Sequence, residues 1–330
     1  MSSEKVSKRI AAFAAIAAGL MVATSSAQAA DQVSLRLNTI LNGWHCPWHM
    51  ARDKGWFKEA GIEIKEIGEG RGSADTAQLV AAGTDTFGLV DPAVVIAGVA
   101  RGLPVKSVYS LINKSLLAVV SPADKPIKSV ADLKGKQYVT LAGSGALQMF
   151  QAVLAANNLK PDDVKILTVD PAAQYATLMS GQVDAILIGL DGVPDLEARG
   201  FKYHAVTYPE LGVNTISSSV ATKSDLVESN PDLVKRFIAV TQRAWDHAIK
   251  NPDDVVKACL AVKPTSSEAA FRKQLTDVIG ALRSENNKDK PLGFGAEKDW
   301  QMTLQVQKDY RGIKTDKPLT AFYTNEFVPQ

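Results

Sequence analysis

The sequence predicts an α/β protein of two lobes, each a mixed, mostly parallel sheet flanked by helices, with two crossings between them. Three observations point there. Short apolar runs alternate with helical patterns from residue 33 onward, the alternation starts afresh after residue 116, and from residue 232 nearly everything reads as helix. A chain of 330 residues is long enough for two compact units of about 100–150 residues each.

The first 29 residues stand apart from the fold. Lys5, Lys8 and Arg9 precede an Ala-rich apolar run, Ile10 to Val22, and 27-AQA-29 has the small-x-small pattern of a cleavage site. This is the layout of a secretory signal peptide, with an uncleaved anchor as the competing reading. No Cys marks the junction, so a soluble periplasmic protein is expected after cleavage near Ala29.

The elements follow in order. Val33, Leu35 and Leu37 alternate with polar neighbours and read as a strand; Pro47 to Glu59 is helical, broken near Gly55 and stopped by Gly61. Ile62, Ile64 and Ile67 suggest a second strand, Thr76 to Ala82 a helix, and 86-TFGLV-90 a buried strand before Pro92, placed for a first helical turn. After 116-LLAVVSP-122 come a short helix at 129-SVADLKG-135, a strand at 137-QYVTL-141 and a helix from 142-AGSGA-146 to Asn157. Val164–Val169 and Ala185–Leu190 read as further strands. Helices then fill Asp232–Arg283 and Ala296–Tyr310, with Pro231 and Pro252 as first-turn prolines. The helical tail needs a surface to cover, and the first lobe is expected to supply it. Crossings are expected near Val119–Pro122 and Ser219–Thr222, giving one lobe from 30–119 plus 221–330 and the other from 120–220.

Charge narrows the function classes. Without the leader, 34 basic and 34 acidic residues remain, which argues against a general nucleic-acid binder. No later segment reaches the ~18 apolar residues of a membrane span. Cys46 and Cys259 could pair in an oxidising compartment, although a chain of this size does not need a disulfide to fold.

Two α/β lobes create a cleft, and in open α/β sheets ligands sit beyond the carboxyl ends of the strands. Those ends carry Asn38, Thr39, Gly70 to Ser73, Asp91, Ser144, Gly145 and Asp191. The stretch 43-GWHCPWHM-50 adds a choice among a metal cage, a Cys–His pair and a ligand wall. His45, Cys46 and His49 lack the further partners that a zinc site needs, and no hydrolase, phosphate-loop or zinc-protease motif accompanies them. Cys46, Trp48 and Met50 read as helix core, and Trp44 and His45 stay candidates for the wall. In 68-GEGRGSAD-75, Gly72 and Ser73 open a helix whose N–H groups favour an anion or carbonyl oxygen, and Arg71 would add a bidentate donor. The turn 142-AGSGA-146 offers the same chemistry from the other lobe. Asn214 completes the candidate ligand set.

The runs 45-HCPWHMARDKGWFKEAGIEI-64, 71-RGSADTAQLVAAGTDTFGLVD-91, 129-SVADLKGKQYVTLAGSG-145, 181-GQVDAILIG-189 and 230-NPDLVKRFIAVTQRAWDHAIKNPDDV-255, in this order, resemble periplasmic substrate-binding proteins. The group resembled serves ABC importers for sulfonates, taurine, nitrate and pyrimidine precursors of thiamine. The resemblance implies a type II-like two-lobe binding protein that closes on a solute and presents the closed form to a membrane permease. Its pyrimidine-binding branch carries an acid and a Trp after the first strand and then a His-x-Pro segment. Here those positions hold Asn38, Thr39, His45 and Pro47, so the acid and the aromatic are replaced and Trp44 offers a stacking face instead. A fungal thiamine-pyrimidine synthase in the same superfamily needs a cysteine-rich run that this chain lacks. The expectation is a monomer without catalytic, cofactor or metal chemistry, binding a small organic solute, anionic or heteroaromatic. The alternatives are an exported enzyme on the same scaffold and a receptor-coupled sensor.

Overall fold

A computed structural model describes residues 30–329 of the protein, so the expected signal peptide lies outside the described residues. Strands β1 (Asp31–Arg36), β2 (Ile62–Gly68), β3 (Phe87–Val90), β4 (Val105–Ile112) and β10 (Ser218–Lys223) form the first sheet, in the order β2-β1-β3-β10-β4. Strands β5 (Leu117–Pro122), β6 (Gln137–Leu141), β7 (Lys165–Val169), β8 (Ala185–Gly189) and β9 (Tyr203–Thr207) form the second, in the order β7-β6-β8-β5-β9. The two orders are one topology used twice. In each sheet the outer three strands pair in parallel, and one strand runs against both its neighbours: β10 between β3 and β4, β5 between β8 and β9. Each reversed strand is the one that enters from the opposite lobe.

The passages between the sheets therefore lie at 113–116 and 208–217, a few residues before the expected crossings, and the lobe boundaries move with them. The physical reason is pairing on both sides. Val119 and Val120 bond in register with Leu187 and Ile186 on one flank and with Val206 and Ala205 on the other, so this run is sheet interior. Strand β10 was hidden by its hydroxyls: Ser219 and Thr222 are fully buried, and they donate to the carbonyls of Val90 and Thr86 at 2.9 and 2.7 Å. A buried Ser or Thr whose hydroxyl finds a carbonyl is tolerated in a central strand, yet it reads as loop in sequence.

The helices that position the cleft follow their sequence signals. α1 (Cys46–Asp53) starts with a first-turn proline, and α2 (Trp56–Glu59) follows the break at Gly55. α3 (Ser73–Ala82) and α4 (Pro92–Ala100) each leave from the carboxyl end of a first-sheet strand. In the second lobe α5 (Gly145–Ala156), α6 (Gln174–Met179) and α7 (Val193–Ala198) do the same. Here the N-cap Ser144 accepts from the Leu147 N–H at 3.1 Å. Between the lobes' return and the tail lies α8 (Ser224–Ser229).

The tail covers the first lobe, as expected, and also reaches the second. In α9 (Pro231–Lys250), Phe237 stacks on Phe87 at 3.9 Å and Trp245 meets Trp48 edge-on at 5.9 Å, both on an apolar stripe at helical spacing. α10 (Pro252–Val262) packs on α1, and Cys259 is disulfide-bonded to Cys46 with Cα atoms 5.4 Å apart. α11 (Glu268–Ile279) touches the 43–45 turn of the first lobe and α7 of the second, and α12 (Glu297–Arg311) lies between α4 and α5.

Candidate functional site

A cavity of about 130 Å³ lies between the two sheets, at the carboxyl ends of their strands. Asn38, Thr39, Trp44, Gly72, Ser73 and Asp91 line it from the first lobe, and Ser144, Gly145 and Asp191 from the second. Three expected residues are elsewhere. Arg71 and Asn214 are exposed and outside the lining, and His45 is fully buried behind the wall. Arg71 sits two residues before the helix that its neighbours open, so a short turn points them inward and leaves its long side chain in water. The charge argument for an anion loses its cation.

The wall is built by a hydrogen-bond relay. The Asn42 N–H donates to His45 Nδ1 at 3.0 Å, so Nδ1 is an acceptor and the ring proton sits on Nε2. That Nε2 lies 3.1 Å from Asn38 Oδ1, which fixes the Asn38 amide with its oxygen toward the histidine and its NH₂ free for the cavity. Burial, with neighbouring His49 adding repulsion, pushes His45 down to about 3, so the relay stays neutral at physiological pH. His45 thus orients Asn38 from outside the cavity lining.

Trp44 does line the cavity, but its indole is committed. Its Nε1 donates to Asp191 Oδ2 across the cleft at 2.7 Å, and Asn42 Nδ2 donates to the same oxygen at 3.3 Å and to the Asp191 carbonyl at 3.2 Å. Trp44 is a strut between lobes as well as a face for a ring. The helix starts also meet: the Ala74 N–H donates to the Gly143 carbonyl at 3.2 Å. At the next position the approach is closer still, since a Cβ on Gly145 would collide with the Asp91 carboxylate. Only glycine lets that backbone N–H reach the acid.

The wall turn is anchored from behind by the tail. Gln274 Oε1 of α11 accepts from the Gly43 N–H at 2.8 Å, and a Cβ on Gly43 would strike the Phe271 backbone. The Cys46–Cys259 bond holds the same turn to α10. Trp48 and Met50 are core, as expected; Trp48 Nε1 donates to Thr241 at 3.1 Å. Among the described residues no three His, Cys, Asp or Glu side chains form a group that could hold a metal ion.

Acids dominate the cavity's charge. Asp91 is pushed up to about 7, first by burial; the Ser73 hydroxyl pulls it back, Asp191 adds repulsion and the Gly145 N–H lowers it. Asp191 is raised by burial and relieved by the Trp44 bond, and Asp195 is raised by burial and relieved by the more distant Arg199 and Lys263. Asp195 and Asn42 were missed in the sequence. Asp195 lies one helical turn beyond Asp191, and Asn42 is the N-cap of the 43–45 turn, so both had a readable signal. Thr140, Tyr175 and Ser218 also line the cavity, from elements whose facing no short motif reveals.

The chain is 24% identical over 309 residues to the riboflavin-binding protein RibY of Chloroflexus aurantiacus, covering 91% of this chain and 86% of that one. It is 23% identical over 314 residues to the 4-amino-5-hydroxymethyl-2-methylpyrimidine phosphate synthase THI13 of Saccharomyces cerevisiae, covering 90% and 88%. The solved alkanesulfonate-binding protein SsuA of Xanthomonas axonopodis pv. citri, bound to MOPS, superposes with a TM-score of 0.70 at 17% identity, over 89% of this chain and 98% of that one. These likenesses carry the two-lobe fold of periplasmic binding proteins. Residues 42–255, more than half the chain, match the family described as NMT1/THI5 like, and the protein belongs to that family.

Proposed function

We propose that the protein is a periplasmic solute-binding protein that closes its two lobes on a small organic solute and hands it to an ABC-type permease, without catalysis. The observation that carries this is the bonding across the cavity: Trp44 and Asn42 of one lobe hold Asp191 of the other beside it. Such contacts exist only when the lobes are together, so a solute that fills the space shifts an open–closed equilibrium toward the closed form by its differential affinity. The cavity suits a solute of about one ring, since an apolar protein cavity of roughly 150 Å³ takes up benzene. Two hydroxyls of the wall at helix starts are occupied structurally, Ser144 as a helix cap and Ser73 accepting from the Asp91 N–H, which fits binding better than turnover. The leader read in the sequence, cleaved near Ala29, supports export, and the protein acts as a monomer on this reading.

The test is a pair of measurements on the mature chain. A panel of riboflavin, pyrimidines, alkylsulfonates, nitrate, aromatic amidines and aromatic carboxylates is screened by thermal shift. A true ligand at 100 times its dissociation constant adds about 2.7 kcal/mol, a rise of several degrees at ~2–4 °C per kcal/mol. Solution scattering of each hit should then show compaction. A solute that stabilises without compaction, and is converted on incubation, would replace this reading with an enzyme.

A further inference from the structure

We propose that the cavity is built for a cationic solute, a small ring or chain bearing an amidinium or ammonium group, and not for an anion. The inference rests on the solute-binding reading and names the charge class of that same site. Asp91 comes from the end of β3 in the first lobe, and Asp191 and Asp195 from beyond β8 in the second, so closing the cleft brings carboxyl groups from both sides onto one space. Among the described residues no Lys, Arg or His lines that space. His45 behind the wall is neutral, Arg71 is outside, and Arg199, over the ring of Tyr175, and Lys263 act on Asp195 from beyond the lining.

A second observation is independent of the acids. The Ser218 hydroxyl, on a residue 2% exposed in the lining, has no hydrogen-bond partner within the protein. A buried polar group left without a partner costs free energy, so a solute group that reaches this hydroxyl would relieve that cost. Together with the carboxyl groups of Asp91 and Asp191, it offers acceptors to a donor-rich head group. The free Asn38 NH₂ calls for an acceptor elsewhere on the solute.

Across the closed cleft Asp191 repels the charged form of Asp91, which raises Asp91 and opposes closure; a bound cation offsets both effects. Binding should therefore release a proton. Asp91, facing the Ser73 hydroxyl, the Gly145 N–H and Asp191, titrates at about 7 when the site is empty and must ionise to hold the cation.

The experiment uses three probes of one shape and different charge: benzamidine, benzamide and benzoate. At pH 8 benzamidine is expected to bind at least about tenfold more tightly than benzamide, and benzoate less tightly than benzamide. Below about pH 7 the benzamidine affinity should fall by up to about tenfold per pH unit, as one proton competes. Asp91→Asn should remove that pH dependence and the preference for the cation. Asp195→Asn should weaken the preference with the fold intact, in case the first variant fails to fold. Benzoate binding as tightly as benzamidine, or no binding of benzamidine by the folded protein, overturns the cation class. Compaction with benzoate or benzamide alone would leave the solute-binding reading standing; compaction with no member of the wider panel would end that reading itself.

Discussion

Asp191 carries two duties that its neighbours separate. Oδ2 receives the indole of Trp44 and the amide of Asn42, and so belongs to the closing of the cleft. The rest of the carboxylate faces the cavity. Trp44→Phe keeps the ring and removes only the N–H, so it isolates the first duty. It should weaken solute binding by about 1–3 kcal/mol, about 5- to 150-fold, because the bond forms only on closure. Arg71→Ala should leave affinity unchanged, since that side chain is in water. Calorimetric titration of both variants checks the pair, and an equal loss in each would contradict the geometry.

Asp91 gives a pH prediction whose sign is fixed. Its folded value of about 7 lies above the ordinary 3.8. Below pH 4 it is neutral in both states and costs nothing. Between about 4 and 7 the unfolded chain ionises while the folded one resists, so its contribution to stability is lost as pH rises through 7. The melting temperature of ligand-free Asp91→Asn minus that of the wild type should rise over this window and level off above it. The full effect is on the order of a few kcal/mol. The buried His45 and His49 act in the opposite direction as pH falls below about 6.5, and the difference between variants cancels them.

At the scale of elements, the disulfide is the feature that the sequence left open. Cys46 and Cys259 are separated by 213 residues, and nothing local says that α10 returns to the first turn of α1. That information is in the tertiary packing of the tail. The bond pins the wall turn Gly43–His45, which Gln274 also grips. Reduction, or Cys259→Ser, should cost about 2–4 kcal/mol in a denaturant titration. It should also lower solute affinity, because the wall loses one of its anchors. An unchanged midpoint would mean that the packing of α10 alone positions the turn.

The same scale shows what was readable. Helix starts were, because prolines after Asn230 and Asn251 and the cap at Ser144 act locally. The parallel strands were, through their β-branched runs. Strand β10 was not, because Ser218, Ser219 and Thr222 are polar by composition and buried by context. Of the site, the strand-end residues Asp91, Ser144 and Asp191 followed from topology. Arg71 failed because position along the chain does not say which way a long side chain leaves a turn. His45 failed because a ligand wall and the relay behind it share one short motif.

At the scale of the molecule, the two sheets differ in how they are assembled from the chain. All five strands of the second sheet fall within 117–207, while the first sheet lacks its β10 until residue 218 is present, and β3 and β4 have no direct pairing without it. A chain delivered N-terminus first must therefore finish its second sheet before its first. The early residues, including the wall of the cavity, wait as an unclosed sheet with a gap between β3 and β4. The order of maturation is then inverted relative to the order of synthesis: inner segment first, outer segment second, and the 46–259 bond last. A fragment spanning 116–213 should give a cooperative melt, and one spanning 30–113 should not. Pulse-labelled exchange during refolding should protect Val119 and Val139 before Leu35 and Leu89. The binding site cannot exist before β10, at the start of the final third of the chain, arrives, so a chain truncated before it has no half-formed cleft with which to capture a solute.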